Sequence, residues 1–142
     1  MSTADPLARL THEIGLRTYA DRFLDLAEEN EVRAIGGRVG LTEADLDREI
    51  GRVCREQGTD REREIRVAVR GLIARECGSG RIDEAAFHRI VAGLATAAPM
   101  TERTKQKLVL TVMEESGRAN IKRGWFSNWH AALRQSLGLP PG

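Results

Sequence analysis

The segment GSGRIDEAAF, residues 78–87, has the outline of a calcium-binding loop running into a helix. Calcium takes oxygen ligands, several of them carboxylates, with a bidentate glutamate at the twelfth loop position. With Gly80 at the sixth position and Ile82 at the eighth, Arg75 falls at the first, Cys77 at the third and Ala86 at the twelfth. A cation and a methyl group thus stand where the strongest ligands belong, and Asp83, at the ninth, is the one carboxylate on a ligand position. The stretch predicts no metal site. It predicts a glycine turn, Ile82 packed ahead of a helix, and Asp83 capping that helix's free N–H groups.

Other reactive residue types are equally dispersed. His12, His88 and His130 lie far apart and belong to no metal-ligand or catalytic spacing. The chain has no nucleophile elbow and no dinucleotide fingerprint, and GGRVG at 36–40 lacks the Lys and Ser/Thr of a phosphate cradle. Cys54 and Cys77 fall on predicted inner helix faces, where a free thiol behaves as a small hydrophobe. The run Glu28, Glu29 and Glu31 reads as a solvated helix end rather than a carboxylate pair. No catalytic residue and no cofactor are predicted, and a non-enzymatic role follows.

Two segments could recognise a macromolecule. VRAIGGRVGLTEADLDREI, residues 32–50, fits a helix-turn-helix outline in which Thr42, Arg38 and Arg48 would contact DNA. Glu43, Asp45 and Asp47 crowd the same tip and would repel a phosphate backbone. Near the C-terminus, Lys122, Arg123, Trp125, Phe126, Trp129 and His130 fall within nine positions. Residues 103–134 hold seven Lys or Arg against two Glu. Phe126, Trp129, Leu133 and Leu137 share one face of a predicted helix. That face can staple the bundle from inside, dock a protein partner or complete a symmetric dimer, or stack on nucleic-acid bases. Lys122, Arg123, Trp125, Phe126, Trp129 and Leu133 are the candidate partner-binding residues.

The elements that carry these residues read as helices throughout. Asp5-Pro6 opens the first helix, with Leu7, Leu10 and Ile14 inside. After an interruption at Gly15, Leu16, Tyr19, Phe23 and Leu26 form a second inward stripe. A short helix runs from about Glu31 to Val39. Thr42 caps a helix burying Leu46, Ile50, Val53 and Cys54, which Gln57-Gly58 closes. Thr59 caps the next, with Ile65, Val69, Leu72, Ile73 and Cys77 inside. Asp83 caps a helix with Phe87, Ile90, Val91 and Leu94, and Pro99 breaks the chain. Thr101 caps a helix with Leu108, Val112 and Met113, whose KLVLTV run is the nearest approach to a strand. Gly117 and Gly124 bracket a loop. A last helix, from about Ser127 to Leu137, ends at Gly138. The expectation is an all-α fold, a compact orthogonal bundle of seven or eight short helices. Residues 1–142 form one domain, and 118–142 carry its aromatic, basic end.

IRVAVRGLIARECGSGRIDEAAFHRIVAGL, about residues 64–94, resembles the helix–turn–helix unit of TerB-type tellurite-resistance domains. The resemblance implies an all-α fold with a second, similar unit earlier, for which VGLTEADLDREIGRV is the counterpart. Arg75, Ser79 and Arg81 stand where that family's turn is acidic, so the resemblance implies a fold and no metal-related role. IGLRTYADRFLDL and LTEADLDREIG are also similar to parts of sterile alpha motif domains, which mediate protein association. The spacing between Phe23 and Leu41 is longer than in those domains.

Bulk properties bound the partners. Hydrophobic residues at 41% and charged residues at 30% of 142 are ordinary for a globular chain. No apolar run spans a bilayer, and no leader peptide is visible. Two thiols without a leader predict a reducing cytoplasm. Net charge is +1, divided as −5 over residues 1–60 and +6 over 61–142. Such polarity suits oppositely charged partners or self-association. The sequence thus predicts a cytoplasmic, non-enzymatic adaptor or regulatory domain that binds a protein and can form a homo-oligomer. A small DNA-associated regulator is the alternative.

Overall fold

A computed structural model describes residues 5–77, 82–117 and 129–140. Lys122, Arg123, Trp125, Phe126, Gly124 and the turn at 78–81 lie outside the described residues, as does the side chain of Cys77. Among the described residues the protein is all-α, with seven helices and one minimal sheet. The helices are α1 (Pro6–Thr18), α2 (Leu26–Arg38), α3 (Glu43–Gln57), α4 (Glu62–Cys77), α5 (Glu84–Gly93), α6 (Glu102–Gly117) and α7 (Trp129–Ser136). Strands β1 (Phe23–Leu24) and β2 (Asp60–Arg61) pair in parallel, Phe23 beside Asp60 and Leu24 beside Arg61.

Local chemistry explains the helix starts. Asp5, Asp25, Thr42 and Asp83 each accept an N–H from the first turn they precede. Asp25 with Glu28 and Thr42 with Asp45 form reciprocal capping boxes. Gly58 closes α3 in the left-handed conformation, φ +63°. KLVLTV lies inside α6, as its flanks predicted.

Four sequence expectations are corrected. Helix α1 runs through Gly15 and stops at Thr18, so Leu16 and Tyr19 stand exposed rather than on an inward stripe. Phe23 and Leu24 are extended, because Asp25 and not a later residue opens α2. That helix therefore begins at Leu26, five residues ahead of Glu31. Thr59 caps no helix: Asp60 and Arg61 extend to pair with β1, with the Asp60 N–H donating to the Arg22 carbonyl at 2.9 Å, and α4 begins only at Glu62. Glu29, read as solvated, is 2% exposed.

The chain divides into two compact units. The first comprises residues 1–65 and 96–98, the second 66–95 and 99–142, with one boundary inside α4. In the first unit Leu10, Ile14, Leu24, Val32, Leu46, Ile50, Val53 and Cys54 form the core, and Leu41 packs against it. Each such buried aliphatic side chain contributes about 1.5–3 kcal/mol. A Cβ on Gly36 would collide with the Leu46 side chain, so glycine is what lets α2 approach α3. Asp60 Oδ1 and Oδ2 accept the backbone N–H groups of Ala97 and Ala98 at 2.7 and 2.9 Å, which ties residues 96–98 into this unit. In the second unit Phe87, Ile90, Val91, Val109, Leu110, Val112 and Met113 are buried, and α5 packs on α6.

Candidate functional site

Charge is concentrated first around Glu29, in the opening turn of α2. Arg61 grips it with two nitrogens, Nη2 reaching Oε2 at 2.8 Å, and Arg33 Nε donates to Oε2 at 2.9 Å. Arg33 extends the cluster to Glu43 at 2.7 Å and to Asp47. Burial pushes the Glu29 carboxyl up, but hydrogen bonds from Arg61 and Arg33 outweigh it and hold its pKa below the usual value. The hydrogen bond from Arg33 likewise lowers Asp47. Both oxygens of Glu29 are engaged by guanidinium groups, so its charge is taken up in holding Arg61 and Arg33 in place. Cys54, in the same unit, is pushed by burial up to about 11, which makes it a poor nucleophile.

The second unit has its own buried pair. His130 Nε2 lies 2.9 Å from Glu114 Oε2, and Arg134 also reaches Glu114. His12 and His88 are exposed, His88 standing 3.9 Å from Glu84. The structure does not assemble the histidines into one site. Among the described residues no three His, Cys, Asp or Glu side chains converge as metal ligands.

The recognition residues proposed from sequence are placed as follows. Thr42 spends its hydroxyl on the Asp45 N–H, and Arg48 Nη2 donates to Asp45 at 2.7 Å. Arg38 is exposed at the end of α2. Trp129 is 7% exposed and stacks obliquely on Phe87, ring centroids 6.1 Å apart, while Leu133 is half-buried. Within the described part of the C-terminal segment, the indole of Trp129 therefore faces inward.

What the sequence did not signal is a cleft of about 240 Å³ in the first unit, lined by Gly15, Thr18, Tyr19, Arg22, Gln57 and Thr59. The end of α1 positions Tyr19, the β1 approach positions Arg22, and the α3–β2 link positions Gln57 and Thr59. Tyr19 is 84% exposed and Leu16, one turn earlier, 55%. Arg22 adopts φ +52°, a left-handed conformation rare for any residue but glycine. Thr18 donates its hydroxyl to the Ile14 carbonyl at 2.8 Å. The chain was compared with family models, curated proteins and solved structures, and none matches it.

Proposed function

We propose that this chain is a non-enzymatic helical interaction domain that binds another protein, in an adaptor or regulatory role that extends to self-association. The observation that carries this reading is the exposure of Leu16, near the end of α1, and of Tyr19, the residue that caps that helix, beside an open cleft. Tyrosine is a frequent anchor of protein interfaces, because its ring supplies area and its hydroxyl direction at little entropic cost. The remaining buried ionic groups support the reading by their occupation: Glu29, Arg61, Asp60 and His130 are each bound to a neighbour in their own unit. No helix of the described residues is long and apolar enough to cross a membrane.

The alternative, DNA binding through Thr42, Arg38 and Arg48, draws less support. The Thr42 hydroxyl serves as a cap, and Asp45 neutralises Arg48 at the very tip that would approach phosphate.

The test is association measured two ways. Sedimentation velocity over a range of concentrations, and capture of partners on immobilised protein, are each run with the wild type and with Tyr19→Ser. The expected result is complex formation that Tyr19→Ser weakens at least about tenfold, the loss typical of an interface anchor. Retention on a DNA column that falls steeply with salt, unchanged by Tyr19→Ser and lost in Arg48→Ala, would replace this reading with the alternative.

A further inference from the structure

We draw no further inference here: the strongest candidate, the exposed surface patch of Val67, Ala68, Gly71 and Ala74 along α4, carries nothing, because nothing in the structure shows what covers it.

Discussion

At the scale of single residues, Glu29 decides more than any other charged group described. A carboxylate taken out of water costs several kcal/mol unless its partners replace the lost hydration, and Arg61 and Arg33 do so here. Deleting one partner leaves the others buried and uncompensated. Glu29→Ala is therefore expected to destabilise the protein by about 3–5 kcal/mol, read as a lower urea midpoint. Replacing both members, Glu29→Met with Arg61→Met, is expected to recover most of that loss, because paired apolar groups carry no desolvation cost. If the single and double variants are equally unstable, the pair is no coupled unit. The position of Glu29 was not legible in the sequence. Its neighbours Glu28 and Glu31 are the half-buried and exposed members of the same run, and Arg61, its main partner, lies 32 residues away. Long-range pairing of that kind leaves no periodic trace. The same holds for Arg22 and Thr59, which the parallel pairing of β1 and β2 draws to one cleft.

At the scale of elements, the sequence was most legible where caps and apolar periodicity agree. Leu46, Ile50, Val53 and Cys54 behind Thr42, and Phe87, Ile90, Val91 and Leu94 behind Asp83, are buried as their spacing requires. It misled where a cap was overlooked. Asp25 and Glu28 spell a capping box that starts α2, and with that box in place Phe23 and Leu24 cannot continue α1. Thr42 gives the element-scale prediction. Its hydroxyl accepts the Asp45 N–H, and its own N–H donates to the Asp45 carboxylate at 3.0 Å. Thr42→Ala is expected to cost about 1 kcal/mol of stability, whereas Thr42→Ser is expected to cost little. Thermal unfolding of the two variants checks this. If the two destabilise alike, the cap does not hold α3, and the hydroxyl is free for another role.

At the scale of the whole molecule, the carboxylates set how the fold answers to pH. Glu29 and Asp47 have folded pKa values below their usual 4.5 and 3.8, through the guanidinium groups beside them. A carboxyl depressed in the folded state binds its proton more readily when unfolded. Its stabilisation is therefore complete above the unfolded value and is lost as pH falls through the folded one. Glu28 runs the other way: burial raises it above 4.5, so its contribution is present below that value and fades as pH rises through the folded value. Hydrogen bonds from Arg17 and from the Thr42 N–H lower Glu13 and Asp45 as well, so among the described residues four depressed carboxyls stand against one raised, and the loss in acid governs. Urea midpoints are expected to stay nearly level from pH 7 to 5 and to fall below about pH 4.5, where unfolded glutamates begin to take up protons. Glu29→Gln removes the titrating group while keeping its shape, so its midpoint is expected to start lower and fall less steeply over the same acid range. The −5 charge of residues 1–60 makes a competing account available, in which acid acts only by general charge build-up. That account gives parallel curves for wild type and Glu29→Gln, whereas the buried network gives converging ones.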